Sequence, residues 1–361
     1  MSTAFPLSRT DSPVPAAERA ARLAAPGFGR YFTDHMATAT WTRDGGWHDR
    51  GIGPLAPFSL HPSTAVLHYA QEIFEGLKAY RHADGSVWLF RPEANARRFA
   101  RSARRLALPE LPEEDFLASV AELVRADEPW VPVPTGEESL YLRPFMFASE
   151  AFLGVRPAAE ARYAVIASPA GPYFPSGVTG VTLWISGRYT RSAPGGTGAA
   201  KCGGNYAASL AAQIEAQDNG CDQVLFLDSA GHGTLEESGT MNLCLITADD
   251  ELVTPSLGTI LEGVTRDTVL TLAPDLGLTP VERTVTLDEL RTSIADGRVT
   301  EVFAAGTAAV ITPIVGFKSD THTFTVADGT PGKKTLALRE HVLDIQFGRT
   351  EDKHDWLRRV V

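Results

Sequence analysis

Cysteine is nearly absent from this sequence. Cys202, Cys221 and Cys244 are the only three in 361 residues. They are odd in number and far apart, which excludes a disulfide framework and fits no zinc-ligand spacing. The nine histidines stand in no HExxH or related pattern, so a structural metal is not expected. Long hydrophobic runs are missing as well. Nothing approaches the roughly 20 apolar residues that span a bilayer. Residues 1–27 hold no continuous apolar run and read as a loose tail rather than a signal peptide. Positive charge is in deficit, with a formal net charge of −11, which argues against nucleic acid or an anionic membrane as the main partner. There is no repeat of fixed period. These absences lead to the expectation of a soluble, reduced, cytoplasmic protein.

What is present is an ordinary globular composition, 43% hydrophobic and 21% charged, in a chain long enough for two domains. Strands are expected at 86–90, 139–149 and 162–170. A helix is expected from Pro92 towards Pro109, with proline at its first turn and beyond its end. "GPYFPSGVTG" at 171–180 is the best linker candidate. Beyond it, "VTLWIS" reads as a strand. Asn205 opens a helix to about 218 with Tyr206, Leu210 and Ile214 on one face. "QVLFLD" and "TMNLCLI" read as a strand pair around "SAGHGTLEESG". "EGVTRDTVLTLA" turns into a helix, and Thr286 with Glu289 forms a capping box for another. "EVFAAGTAAVITPI" reads as strand, tight turn, strand. A last helix over about 333–347 buries Leu336, Leu343 and Phe347. The mixture predicts an α+β protein with its ligand between two domains.

Chemistry concentrates at "GGTGAAKCGGNY", where Lys201 stands between glycine clusters. A P-loop needs Gly before the lysine and Ser or Thr after it, but Ala200 and Cys202 stand there. A dinucleotide fingerprint fails because Lys201 occupies the place of its last glycine. An arbitrary loop lysine is an ordinary surface charge. Here the small and apolar neighbours offer no charged face, and a partly desolvated lysine becomes a nucleophile suited to Schiff-base formation with a carbonyl cofactor. Pyridoxal phosphate would further need an anion site, a carboxylate for its ring nitrogen and a donor for its phenolic oxygen. Val264 and Thr265 in "EGVTRDT" offer the first, although any helix start has free amides. Glu236 and Glu237 in "EESGTMN" offer the second, where an isolated Glu is more often a solvated turn residue. Six arginines between 91 and 105 would ordinarily form a solvated face, and one turned inward would meet the phosphate.

Seven stretches, "FEGLKAY", "RPEANARRFARSARRL", "SLYLRPF", "GGTGAAKCGGNYAAS", "EESGTMN", "EGVTRD" and "AAGTAAVITP", stand in the order found in branched-chain amino acid aminotransferases. The chain resembles that family, fold-type IV pyridoxal phosphate enzymes, from about residue 30 to the end. The resemblance implies that Lys201 anchors the cofactor covalently and shuttles a proton. It implies that Tyr206 contacts the phenolic oxygen and that Glu237, rather than Glu236, faces the ring nitrogen. Arg98, rather than Arg97, would bind phosphate with Val264 and Thr265. Thr307 and Ala308 would hold the substrate carboxylate, with Arg191 near the cofactor. Phe32, Tyr69, Phe74, Tyr141 and Tyr173 match positions of an apolar, aromatic substrate cage, Thr240 would also bind substrate, and tyrosine hydroxyls with Arg143 would receive the distal carboxylate of glutamate.

The resemblance thus implies a two-domain fold-type IV (D-amino acid aminotransferase-like) α+β architecture with the active site between the domains. The expected bounds are a small domain at 1–172 with a loose tail to about 29, a loop at 173–180, and a large domain at 181–361 carrying the lysine. The implied reaction is ping-pong transfer of the amino group between L-leucine, L-isoleucine or L-valine and 2-oxoglutarate, in a homodimer. D-Amino acid transaminases and aminodeoxychorismate lyases share the lysine and glutamate and form the alternative, followed by a non-catalytic binding protein. Mammalian members carry a CxxC after the turn that reads "GTAAVITP" here, so no thiol switch of that kind is expected.

Overall fold

The computed structural model describes residues 5–174 and 177–361. The described chain forms two compact units. The first comprises 5–174 together with Ala200–Gly203 and Asp344–Val361, and the second comprises 177–199 and Gly204–Leu343. The sequence-based bounds put 200–203 and 344–361 with the second half, and the packing explains the difference. Ala200 and Cys202 are buried in the first unit's core. Strand Leu357–Arg359 pairs antiparallel with Val87–Phe90, and Phe347 meets Tyr80 edge-on with centroids 5.0 Å apart. The expected 173–180 loop lies partly outside the described residues.

Among its described residues the first unit is built on an eight-stranded sheet. Its long central strand, Ser139–Ala148, pairs with Glu160–Ala170 on one side and with Leu77–Arg81 and Glu72–Phe74 on the other. Strand side chains alternate between faces. Leu140 and Leu142 are fully buried in the core, which turns Tyr141 and Arg143 to the opposite face. Helix Pro92–Arg105 starts after Arg91, whose φ of 52° is left-handed, with Pro92 in the first turn. Ala96, Phe99 and Ala103 recur at helical spacing and are buried. Asn95, Arg98 and Ser102 are buried too, so only part of the arginine-rich helix is the solvated face a lone reading would give. Phe99, Phe116 and Tyr163 interlock, with centroids 5.5 and 5.6 Å from Phe99.

In the second unit, strands Leu235–Ser238, Gln223–Leu227, Val181–Ile185, Val310–Lys318, Val299–Gly306 and Met241–Thr247 pair in that order. The first and last also pair with each other, Glu237 opposite Asn242, so the sheet closes on itself and leaves no open edge in this ring. Three sequence expectations are corrected here. Glu236 and Glu237 lie on a buried strand, not in a turn, because "LEES" is paired on both sides. The turn is Gly239-Thr240, where Gly239 takes φ 56°, a conformation that suits glycine. Helix Gly203–Asp218 exposes Leu210 and Ile214 and buries Ala212 and Ala216 instead. Small residues face the sheet there, because helix and barrel wall lie close. In Lys333–Gln346, Leu338 and Val342 are fully buried while Leu336 is exposed. The Thr286 hydroxyl caps Leu287–Ala295 as expected, accepting from Glu289 N at 3.2 Å.

Candidate functional site

Lys201 lies in the short segment of the first unit that both chain neighbours leave for the second. Its backbone N–H donates to Ser102 Oγ at 2.9 Å, and its carbonyl accepts from Phe74 N at 3.0 Å. The segment is thereby held between helix Pro92–Arg105 and strand Glu72–Phe74, with Gly203 N–H bonded to the Glu72 carboxylate. Cys202 is a packing residue, buried in the first unit's core. The Lys201 amine sits over the Phe74 ring, 4.8 Å from its centroid. Burial lowers its pKa to about 8; Arg98 and Arg143 act in the same direction, against Glu75 and Tyr141. A larger fraction of this amine is therefore neutral near pH 7 than for an ordinary lysine.

Arg98 is buried and paired with a carboxylate that the sequence reading gave no role. Its Nε and Nη2 donate to Glu75 Oε1 and Oε2 at 2.7 and 2.9 Å. The signal was the Glu of "FEGLKAY", but its partner lies 23 residues away and only tertiary structure joins them. Arg143 Nη2 donates to the Tyr141 hydroxyl at 3.0 Å, and its Nε is buried without a hydrogen-bond partner. Phe28, Phe32, Tyr141, Arg143 and Ile166 line a cavity of about 280 Å³. Phe28 is a second unanticipated residue, 5.0 Å edge-on to Tyr141. Tyr69 and Tyr173 do not line that cavity. The Tyr69 hydroxyl accepts from Gly154 N at 2.8 Å, and Tyr173 packs on Phe174.

The second unit assembles a separate polar cluster. Glu237 is 1% exposed. Its Oε2 meets Arg191 Nε at 2.7 Å, while Oε1 accepts from Leu261 N at 2.7 Å and Asn242 Nδ2 at 3.1 Å. Arg191 Nη1 donates to the carbonyls of Gly198 and Thr259 at 3.2 and 3.3 Å. Glu236, beside it, accepts from Thr259 Oγ1 at 2.5 Å, and its Oε2 is buried without a partner. Burial raises its pKa against that hydrogen bond and the Arg191 charge. Helix Val264–Leu272 begins at Gly263 with no side-chain cap, so Val264 and Thr265 stand at an N-terminus suited to an anion. A Cβ on Gly263 would overlap the Asn242 amide. Tyr206 is half-buried on Gly203–Asp218. Thr307 and Ala308 form the turn between Val299–Gly306 and Val310–Lys318, followed by Val310 at φ 64°. A β-branched residue is strained there. Thr240 is exposed in its turn.

Each unit holds groups of the kind a phosphate-bearing carbonyl cofactor uses: the first an amine of lowered pKa, the second an uncapped helix N-terminus and a buried, hydrogen-bonded carboxylate. The sequence matches the family described as Amino-transferase class IV over residues 72–317. It is 53% identical to the branched-chain-amino-acid aminotransferase of Mycolicibacterium smegmatis, covering 99% of this chain and 98% of that protein. It is 51% identical to that of Mycobacterium tuberculosis at the same coverage. The fold is similar to that of the branched-chain amino acid aminotransferase from Thermobaculum terrenum in its PLP form. The TM-score is 0.73 at 26% identity, over 91% of this chain and 98% of that one.

Proposed function

We infer the reaction from one premise: the chain belongs to the amino-transferase class IV family. It is a pyridoxal phosphate-dependent branched-chain amino acid aminotransferase of fold type IV. It exchanges the amino group between L-leucine, L-isoleucine or L-valine and 2-oxoglutarate in two half-reactions, one 2-oxo acid leaving before the next enters. When bound, pyridoxal phosphate supplies a carbonyl to take up the amino group and a ring that stabilises negative charge at the substrate Cα.

The observation that carries the assignment of roles is Lys201, an amine with a pKa near 8 on a segment anchored at both backbone groups. Its Nζ is the group that would hold the cofactor and then move a proton. Glu237, kept among Arg191, the Leu261 N–H and the Asn242 amide, would face the ring nitrogen, and Tyr206 the phenolic oxygen. The N-terminus at Val264 and Thr265, with Arg98, would take the phosphate. Thr307 and Ala308 would receive the substrate α-carboxylate. Phe32, Phe74, Tyr141, Tyr69 and Tyr173 are assigned to the apolar cage, to which the cavity adds Phe28, and Thr240 to substrate binding. The orphaned Nε of Arg143 supports its role as partner of the glutamate distal carboxylate. Residence in the cytoplasm is part of the same reading, consistent with three unpaired cysteines. So is a homodimer, supported by apolar side chains left exposed around Tyr69: Leu67 at 58%, Leu153 at 72% and Val155 at 93%.

The purified protein should fix its cofactor to Lys201 on borohydride treatment, read by peptide mass spectrometry. Lys201→Ala should lose both that adduct and turnover of L-leucine with 2-oxoglutarate, by at least a thousandfold. An adduct at another residue, or undiminished turnover, would refute the role of Lys201. D-Alanine outperforming all three branched-chain substrates would refute the substrate class.

A further inference from the structure

Glu75 lies in the chain between Phe74 and Gly76. Phe74 donates its backbone N–H to the Lys201 carbonyl and places its ring under the amine. Gly76 lies so close to the Tyr141 hydroxyl that a Cβ would overlap it. The Glu75 carboxylate is fully buried. It takes Arg98 in two parallel hydrogen bonds, and Oε2 also accepts from Asn95 Nδ2 at 2.7 Å and Gly76 N at 3.1 Å. Removing two charges from water is expensive, and such a pair is poor evidence of stabilisation. Its location suggests another use. Arg98, Arg143, Glu75 and Tyr141 are among the charged and titratable groups acting on Lys201. Two of them are permanent cations, and only Glu75 is an ordinary anion at neutral pH. Burial pushes its carboxyl up, but Arg98 above all, with Lys201 and Asn95, outweighs this and holds it below the usual range.

We propose that Glu75 is a positioning residue of the lysine site, locking the Arg98 guanidinium in one orientation and offsetting its charge beside the Lys201 amine. It rests on Lys201 being the reacting amine. With Glu75 ionised, its charge offsets part of the Arg98 charge that acts on Lys201. With Glu75 uncharged, Arg98 and Arg143 together drive the proton off the amine.

The test is the titration of Lys201 in the cofactor-free full-length chain, followed by competitive acetylation with acetic anhydride between pH 5.5 and 10.5 and peptide mass spectrometry. In Glu75→Gln the midpoint should fall by about one unit or more, so that labelling of Lys201 at pH 6.5 quickens about tenfold. Loosened packing alone would do the opposite, exposing the amine and raising its midpoint towards 10.5. A rise or no change therefore overturns the proposal. Glu75→Asp keeps the charge and should leave the midpoint within about half a unit; a fall matching that of Glu75→Gln would also overturn it. Should Glu75→Gln not fold, Glu75→Gln with Arg98→Met removes the pair as a neutral unit. The midpoint should then match the parent's or lie above it, and a fall like that of Glu75→Gln alone counts against the proposal. If the parent chain itself shows no midpoint near 8 and no borohydride adduct, the reading of Lys201 fails; if it shows both and Glu75→Gln does not shift, only this proposal fails.

Discussion

Two adjacent glutamates on one buried strand have opposite surroundings. Glu237 is met by an arginine, a backbone N–H and an amide, whereas Glu236 has one hydroxyl donor and an orphaned oxygen. Burial raises the Glu236 pKa above its ordinary 4.5. A carboxyl whose pKa is raised by folding favours the folded state fully below the unfolded value, and loses that contribution as pH rises through the folded value. Glu236→Gln removes this penalty while keeping the shape. The stability of Glu236→Gln relative to the parent should therefore increase as pH rises above the ordinary 4.5, measured by urea unfolding at a series of pH values from about 4 upward. A difference that is flat or shrinks with pH would show that Glu236 stays ionised. At this scale a motif draws attention to Lys201 and Glu237, and the structure gives one a lowered pKa and buries the other among donors. The sequence was not legible at Glu75 or Phe28, whose partners Arg98 and Tyr141 stand far along the chain. No local spacing encodes such a pairing.

Elements hold the Lys201 segment in place although glycines stand on either side of it, at 198 and 203. The anchor is helix Pro92–Arg105, whose position 102 is buried and turned to the Lys201 N–H. Ser102→Ala would leave that N–H buried and unsatisfied, a loss of about 1–3 kcal/mol. Reduced stability in urea together with weaker retention of the cofactor on dialysis is the expected pair of outcomes. Unchanged stability would mean that the segment finds another acceptor. Helix and strand positions were largely legible, since proline, glycine and capping residues mark the ends of Pro92–Arg105, Val264–Leu272 and Leu287–Ala295. Faces were less so. Leu210 and Ile214 have helical spacing but lie outside, because the barrel accepts only Ala212 and Ala216 at that contact. Periodicity identifies a stripe, and the width of the space opposite decides whether it is filled.

For the whole molecule, chain order and spatial order differ. The first unit takes its last strand from Leu357–Arg359 and part of its core from Ala200 and Cys202, so a single boundary read along the sequence divides the chain differently from its packing. The same unit leaves an apolar group uncovered. Val155 is 93% exposed and Leu153 72%, in a loop fixed by the Gly154 N–H to the Tyr69 hydroxyl and by Arg156 stacked 3.9 Å over Phe152. Isolated exposed apolar residues are common, and what covers these is a question for the assembly. In the homodimer reading a second copy covers them, and a charge placed there would be buried unpaired. Val155→Asp should then shift the protein from dimer to monomer at micromolar concentration in sedimentation velocity. It should leave urea stability of the isolated subunit within about 0.5 kcal/mol, as for a surface substitution. A parent protein that sediments as a monomer would remove the homodimer. A dimeric parent with an equally dimeric Val155→Asp would place the interface on another surface.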